Sequence, residues 1–197
     1  MEQLRENVRR GLPELAEISD PDLREKVVAA WALALSETEF ASIDEIRASG
    51  FPDSAPLTSG TQTDHIRGVT RMALGLADAL EAVVKDFTVD RDVLIACAIC
   101  HDVGKPFEFS PRNQKRWSEN SALSGYPAIR HPAYGVHLAL TVGLPETVVH
   151  SAGYHSGEGE LVVRSLEVTI VRHCDRAFWQ ILDRAGCLQR EDTGEKT

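Results

Sequence analysis

Residues 97–106 read CAICHDVGKP, and this stretch contains two candidate chemical sites side by side. Cys97 and Cys100 stand at CxxC spacing, and His101 and Asp102 follow directly. A zinc site on the cysteines would need two more ligands at similar spacing, which the other two cysteines of the chain do not provide. A redox pair would lie at an exposed helix N-terminus, whereas this pair lies near the end of an apolar segment. We therefore expect the cysteines to be buried core residues.

Helical periodicity extends outward from this stretch over most of the chain. Residues 90–101 are apolar on almost all sides, as a central buried helix requires. Further helices are predicted at about residues 21–35, 63–80, 132–142, 145–155 and 164–185. Glycines and prolines interrupt residues 41–60, which predicts a connecting segment, and residues 106–130 are predicted to form a long loop. No alternating strand pattern is present, so the predicted fold class is all-α.

The composition excludes several classes of function. The chain has 197 residues, enough for one domain, with a formal net charge of −9 and a pI near 5.2. A chain this acidic is not expected to bind extended nucleic acid or an anionic membrane. The longest apolar runs, VVAAWALAL with nine residues and VLIACAIC with eight, are too short to span a membrane. Because no N-terminal signal pattern is present either, we expect a cytoplasmic protein.

Histidines and aspartates recur at or near the ends of successive predicted helices. They are His65, His101 with Asp102, His131, His155 and Asp175. The steps between them are 36, 30, 24 and 20 residues, each about one helix plus a turn. Antiparallel helices of that length could bring all of these side chains to one place in a bundle. Imidazole and carboxylate together suit Fe, Mn, Co, Ni or Zn better than Mg or Ca.

This series resembles the signature of the HD-domain superfamily. The motifs that carry the resemblance are HDVGK at 101–105, HPAYGVHLAL at 131–140, GYHSGEG at 153–159 and RHCDRA at 172–177. The resemblance covers about residues 63–182. It implies an HD helical bundle at residues 61–185, preceded by an N-terminal helical accessory segment at 1–60 and followed by a flexible tail at 186–197.

The resemblance implies a role for each residue of the series. His65, His101, Asp102 and Asp175 correspond to the ligands of a first metal ion. His131 and His155 correspond to the additional ligands of members with two ions, in which Asp102 bridges both. Members of the superfamily are mostly metal-dependent phosphohydrolases, and two ions about 3.5 to 4 Å apart can hold the attacking and leaving oxygens.

We therefore expect one or two divalent transition-metal ions and an activated hydroxide that hydrolyses a phosphomonoester or phosphodiester of a small metabolite or nucleotide. Two alternatives stay open. Some superfamily members hold a mixed-valence di-iron centre in the same ligand set and use dioxygen to cleave a C–C or C–P bond of a small anionic substrate. The other alternative is a non-catalytic ligand-sensing module.

Basic residues after the His-Asp pair are candidates for substrate binding. From residue 105 to residue 130 the chain has five basic and two acidic residues, a local balance of +3 in an acidic protein. The basic residues are Lys105, Arg112, Lys115, Arg116 and Arg130. They could receive the oxygens of a phosphate- or phosphonate-bearing substrate. In similar HD proteins the lysine after the HDxG motif lies close to the substrate anion, which makes Lys105 a catalytic candidate as well.

Two further histidines are kept as alternatives. His150 lies five positions before His155 and could replace it as a ligand if the helix ended between them. His155 is favoured, because it precedes SGEG, where a helix end would expose it. His173 lies two residues before Asp175 and is expected to pack or to support a ligand. The oligomeric state is left open.

Overall fold

The computed structural model describes residues 1–189, and α-helices dominate this part of the chain. They are α1 (Glu2–Gly11), α2 (Pro21–Ser36), α3 (Gln62–Val83), α4 (Arg91–Cys100), α5 (Lys105–Phe109), α6 (Pro111–Glu119), α7 (Ser121–Ser124), α8 (His131–Thr141), α9 (Glu146–Tyr154) and α10 (Leu166–Arg184). Short 3-10 helices lie at Pro13–Glu17, Ile43–Glu45 and Gly157–Leu161. No β-strand occurs among the described residues, so the all-α prediction is confirmed. None of the described helices is both long enough and apolar enough to cross a membrane.

Helix α4 lies at the centre of the bundle. The side chain of Asp90 caps its first turn by accepting a hydrogen bond from the backbone N–H of Val93 at 3.0 Å. All residues from Leu94 to Cys100 are buried, and α2, α3, α9 and α10 pack around them. Cys97 and Cys100 are free thiols within this core, and burial raises the pKa of both. The prediction that the cysteines are core residues is confirmed.

The N-terminal segment shares this core. Trp31 of α2 is fully buried, and its indole N–H donates to the carbonyl oxygen of Ile99 in α4 at 3.1 Å. The buried carboxylate of Glu14 accepts hydrogen bonds from Arg67 and Arg71 of α3. Side chains of the N-terminal segment and of the domain that follows it pack in one core. The predicted division between the two stays a prediction.

The predicted loop at residues 106–130 is wrong for most of its length. Helices α5, α6 and α7 occupy the segment as far as residue 124. Pro106 and Pro111 fall in the first turns of α5 and α6, where the missing N–H costs nothing and the fixed φ suits a helix. Ser110 caps α6, and the buried Trp117 anchors it to the rest of the fold. Residues 125–130, which follow α7, are not helical.

The predicted connecting segment at residues 41–60 forms backbone hydrogen bonds with residues near the end of the described part of the chain. The backbone N–H of Thr58 donates to the carbonyl oxygen of Cys187 at 2.8 Å, and that of Gln189 donates to Pro56 at 2.9 Å. Part of the tail predicted from residue 186 therefore contacts the body of the protein, and residues 190–197 lie outside the described part of the chain.

Candidate metal centre

The side chains of the predicted ligand series converge between five helices. His65 lies in the first turn of α3, and His131 is the first residue of α8. His101 and His155 directly follow the last residues of α4 and α9. Asp102 comes next after His101, and Asp175 lies at the midpoint of α10. Helix ends meet at the middle of the bundle, which is why side chains far apart in the chain share one site.

One half of the centre is formed by the two histidines of α3 and α4. The Nε2 atoms of His65 and His101 lie 3.2 Å apart. Asp102 Oδ2 lies 3.2 Å from the first and 3.3 Å from the second. Asp175 Oδ1 lies 3.4 Å from His65 Nε2. His65, His101 and Asp102 form a buried group that could hold a metal ion, and Asp175 borders it.

The other half is formed by the histidines of α8 and α9. The Nε2 atoms of His131 and His155 are 3.4 Å apart. Asp102 Oδ1, the second oxygen of the same carboxylate, lies 3.2 Å from His131 and 3.6 Å from His155. This buried group could hold a second ion. Each oxygen of Asp102 therefore faces one histidine pair, as the predicted bridging role requires.

The orientation of the imidazoles fits a cation at the centre. Nδ1 of His101 lies 2.6 Å from the carbonyl oxygen of Ala98, and Nδ1 of His155 lies 3.0 Å from that of Ser151. A carbonyl oxygen only accepts, so in the neutral ring Nδ1 carries the proton and Nε2 presents a lone pair. His131 and His155 both have an Nδ1 acceptor, so the lone pairs of their Nε2 atoms face one another at 3.4 Å and Asp102 Oδ1 at 3.2 and 3.6 Å, an arrangement that is repulsive unless a positive charge lies between them. The donor set thus fits a divalent transition metal.

The charge states of the site agree with metal binding. Burial opposes ionisation of Asp102, but the charges of Lys105 and His101 outweigh it and hold the pKa of Asp102 well below its usual value. Burial lowers the pKa of His65 and of His131. Burial also acts on His101, but the Asp102 carboxylate outweighs it and raises the pKa of His101. A charged carboxylate and neutral imidazoles are the forms in which these groups bind metal ions, so the shifts of Asp102, His65 and His131 favour binding, whereas a bound ion would displace the proton that Asp102 favours on His101.

Two side chains hold the bridging carboxylate from the protein side. Gln62, one turn before His65 on α3, donates through Nε2 to Asp102 Oδ2 at 2.7 Å. Lys105 is buried, and its Nζ lies 3.4 Å from the same oxygen while it also donates to the carbonyl oxygen of Ser49. Lys105 therefore lies beside Asp102 and connects it to the segment before α3, and its role in substrate binding stays a prediction.

A cavity of about 620 Å³ opens over the centre. Its base includes Asp102, His131, His155 and Asp175. Its walls bear the cations Lys105, Arg130, Arg172 and Arg176 and the aromatic rings of Phe51 and Trp179. A cavity of this size fits a small molecule.

Three of the four cations already have partners. Lys105 is bound as described, Arg130 pairs with Glu108 and with Glu158, and Arg172 pairs with Glu160. Arg176 is exposed and forms no ion pair within residues 1–189. It is the cation on the wall that an incoming anion meets without displacing a carboxylate.

Two of the five predicted substrate-binding residues, Lys105 and Arg130, line the cavity, and three do not. Arg112 is exposed and donates to the carbonyl oxygen of Glu37 at 2.9 Å. Lys115 and Arg116 are exposed on α6. The physical reason is that this segment is a helix anchored through Asn113 and Trp117, which are buried, while its basic side chains are exposed. Arg112, Lys115 and Arg116 are thus absent from the lining of this cavity, and their role in substrate binding stays a prediction.

The alternative histidines lie outside the centre. Helix α9 continues unbroken past His150, whose ring packs near Tyr154 with the ring centroids 4.9 Å apart. Burial lowers the pKa of His150. His173 is exposed and lines an apolar groove of about 780 Å³ between α3 and α10, which contains none of the six predicted ligands. His155 takes the position at the centre, as favoured from the sequence.

Residues absent from the predicted site also contribute to it. Gln62 and Arg172 could have been found from spacing, because each lies three positions from a predicted ligand on the same helix face. Glu108 is fully buried and contacts His131 and Arg130. Burial opposes its ionisation, but the hydrogen bond from His131 and the charge of Arg130 outweigh burial and lower the pKa of Glu108.

Comparison with known proteins gives two matches. A family model described as HD domain matches residues 63–178. The dihydroneopterin 2',3'-cyclic phosphate phosphodiesterase of Methanocaldococcus jannaschii is 28% identical over 127 residues. That match covers 64% of this chain and 49% of the relative, so this chain spans about half the length of the relative. No solved structure shows a significant match.

Proposed function

The chain belongs to the HD domain family, and from this premise we propose that it is a metal-dependent phosphohydrolase acting on a phosphomonoester or phosphodiester of a small metabolite or nucleotide. The observation that carries the proposal is the division of the Asp102 carboxylate between two histidine pairs. A relative named as a cyclic phosphate phosphodiesterase supports it. Phosphodiesters, cyclic ones included, are therefore the first substrates to test.

The residues of the centre divide into ligands and supports. His65, His101, Asp102 and Asp175 would hold one ion, and Asp102 with the remaining pair of histidines would hold another. Divalent ions at these positions supply Lewis-acid stabilisation of phosphoryl oxygens and promote the ionisation of water. Gln62 keeps the bridging carboxylate in place through its hydrogen bond to Oδ2.

Arg176 is the residue we assign to the first contact with the substrate phosphate. It lines the cavity and has no carboxylate partner among the described residues. Guanidinium groups bind phosphate through paired N–H donors, so an unpaired arginine is suited to this task. Arg130 and Arg172 carry carboxylate partners and define the walls. The remaining cation, Lys105, is held at the base.

The test measures metal content and turnover on the same protein. The purified chain is analysed for metal, stripped with a chelator, reloaded with Mn²⁺ and assayed without oxygen on bis-p-nitrophenyl phosphate and nucleoside 2',3'-cyclic phosphates. We expect two ions per chain and ring opening to a phosphomonoester, detected by ³¹P NMR. Asp102→Asn is expected to remove both metal and turnover. Two irons with oxygen consumption and no anaerobic turnover would favour oxidative chemistry, and binding without turnover would favour a sensor.

The role of Arg176 is tested with a matched pair of variants. Arg176→Gln removes a charge-assisted contact with phosphate, a loss of about 1.5 to 3 kcal/mol, which corresponds to a roughly 10- to 100-fold rise in KM. Arg116→Gln removes the same charge from exposed α6, away from the cavity, and is expected to leave KM unchanged. Equal KM values for the two variants would remove Arg176 from the proposed site.

A further inference from the structure

Two histidines of the centre are oriented by the helices that carry them. His101 and His155 directly follow the last residues of α4 and α9, and their Nδ1 atoms bond to carbonyl oxygens of the preceding turn, those of Ala98 and Ser151. The carbonyls of the last turn of a helix have fewer intrahelical N–H partners, and each has two lone pairs, so the Ser151 carbonyl accepts the ring N–H as well as the backbone N–H of His155 at 3.2 Å. Each helix therefore supplies the acceptor that turns Nε2 of its own histidine toward the centre.

His131 cannot be supported in this way. It is the first residue of α8, and the N-terminal end of a helix presents free N–H groups rather than free carbonyls. Its Nδ1 needs an acceptor from another element, and Glu108 of α5 provides it. Glu108 Oε2 contacts His131 Nδ1 and also accepts a hydrogen bond from the backbone N–H of His131 at 2.8 Å. One carboxylate oxygen thus holds both the ring and the first residue of α8.

The other oxygen of Glu108 binds a residue of the cavity wall. Glu108 Oε1 accepts a hydrogen bond from Nη1 of Arg130, which lines the cavity wall. Arg130 is held from a second direction by Glu158, 3.1 Å from its Nε, and its guanidinium lies 4.5 Å from the centroid of the Phe51 ring. Among these contacts, it is Glu108 that joins Arg130 of the cavity wall to His131.

We propose that Glu108 is a positioning residue for the half of the centre formed by Asp102 Oδ1, His131 and His155, and that it couples this half to Arg130 on the cavity wall. The inference rests on the proposed function for the presence of two ions. The half formed by His65 and His101 has no contact with Glu108 among the described residues. Loss of Glu108 is therefore expected to weaken one ion and spare the other.

The experiment titrates Mn²⁺ into chelator-stripped protein and follows free Mn²⁺ by electron paramagnetic resonance. For Glu108→Gln we expect one ion to bind as in the wild type and the other to bind about 10- to 100-fold more weakly, the usual effect of losing a residue that supports a ligand. Glu158→Gln is the matched control, because Glu158 also pairs with Arg130 but forms no hydrogen bond or ion pair with His131 within residues 1–189. It is expected to retain both ions at wild-type affinity.

Two further variants complete the test. His155→Gln removes a ligand from the same half, so its titration should resemble that of Glu108→Gln, whereas His101→Gln should impair the ion that Glu108→Gln spares. If circular dichroism shows that Glu108→Gln is unfolded, Glu108→Asp retains the charge but withdraws the carboxylate by one methylene, and the same selective weakening is expected.

Wild-type affinity for both ions in whichever Glu108 variant folds would overturn the inference, as would equal weakening of both. A wild-type chain that binds fewer than two Mn²⁺ ions would overturn it together with the two-ion site. A wild type that binds two ions but hydrolyses no phosphoester would count against the proposed function alone. In that case the Mn²⁺ titration still decides the role of Glu108.

Discussion

Replacing Gly104 by alanine tests whether the close approach of α5 to α8 determines the geometry of the metal centre. The φ of Gly104 is −83°, which any residue can adopt, so backbone conformation does not require glycine here. Space does. A Cβ at this position would lie 2.8 Å from the backbone nitrogen of Gly135 and closer still to the carbonyl oxygen of His131.

The size of the effect follows from these contacts. Moving the Cβ from 2.8 Å to the 3.4 Å at which ordinary contacts begin requires a shift of 0.6 Å, and the contact with the carbonyl oxygen of His131 requires more. Both obstacles are backbone atoms, so no change of rotamer relieves them. Overpacking costs about 1 to 3 kcal/mol in general, and we expect about 3 kcal/mol here. His131 would also be moved away from Asp102 Oδ1, now 3.2 Å from its Nε2.

The assay combines urea unfolding of metal-free protein with Mn²⁺ binding and turnover. A displacement near 1 Å at a catalytic group can cost about 100-fold in rate, so Gly104→Ala should lose activity beyond its loss of stability. Gly75→Ala in the middle of α3 is the control, because nothing lies within 4 Å of a Cβ there. Alanine should stabilise that helix by up to about 1 kcal/mol. A Gly104→Ala protein with wild-type stability and two bound ions would refute the reasoning.

Three further predictions concern stability. Trp31→Phe removes the buried donor to the Ile99 carbonyl and should lower the free energy of unfolding by about 1 to 3 kcal/mol in urea. Burial opposes ionisation of Glu14, but hydrogen bonds from Arg71 and Arg67 outweigh burial and lower the pKa of Glu14. The contribution of the Glu14 carboxylate to the free energy of unfolding is therefore present above the unfolded-state pKa, near 4.5, and is lost as pH falls through the lower folded-state pKa. The destabilisation by Glu14→Gln should therefore shrink below pH 4.5, and a pH-independent difference would contradict this. Removing the metal with a chelator should lower Tm by roughly 5 to 10 °C relative to protein in a metal concentration of 100 times Kd, and adding Mn²⁺ should restore it. An unchanged Tm would argue against bound metal.

The positions of the proposed metal-binding histidines could be predicted from the sequence because they depend on local signals. Apolar periodicity and helix-end residues place the histidines of the series at helix ends, and short connections make neighbouring helices antiparallel. The segment at residues 106–130 was misjudged because its prolines and polar residues are typical of loops. Pro106 and Pro111 are in fact compatible with helix starts, and Trp117 supplies the buried anchor that the polar composition conceals.

The substrate-facing cations could be predicted only in part. A count of local charge identifies a basic segment, but the direction in which Lys115 and Arg116 point depends on how α6 packs, which is a tertiary property. Arg172 was accessible in principle, because it shares a helix face with Asp175. Glu108 was not accessible, because its role depends on a contact with a histidine 23 residues later in the chain.

Helix polarity explains which parts of the centre could be predicted from the sequence. A histidine after the end of a helix finds its Nδ1 acceptor within its own helix, so position and orientation come from the same local segment. A histidine at a helix start finds none there. His131 uses Glu108, and His65, whose Nδ1 has no hydrogen-bond partner among the described residues, is instead packed by two rings of α10. Trp179 stacks on it with centroids 4.8 Å apart, and Phe178 meets it edge-on at 4.7 Å. Packing fixes the plane of that ring without selecting which nitrogen carries the proton. The support of His65 therefore differs in kind from that of the other three histidines. It depends on α10, which begins more than 100 residues later in the chain.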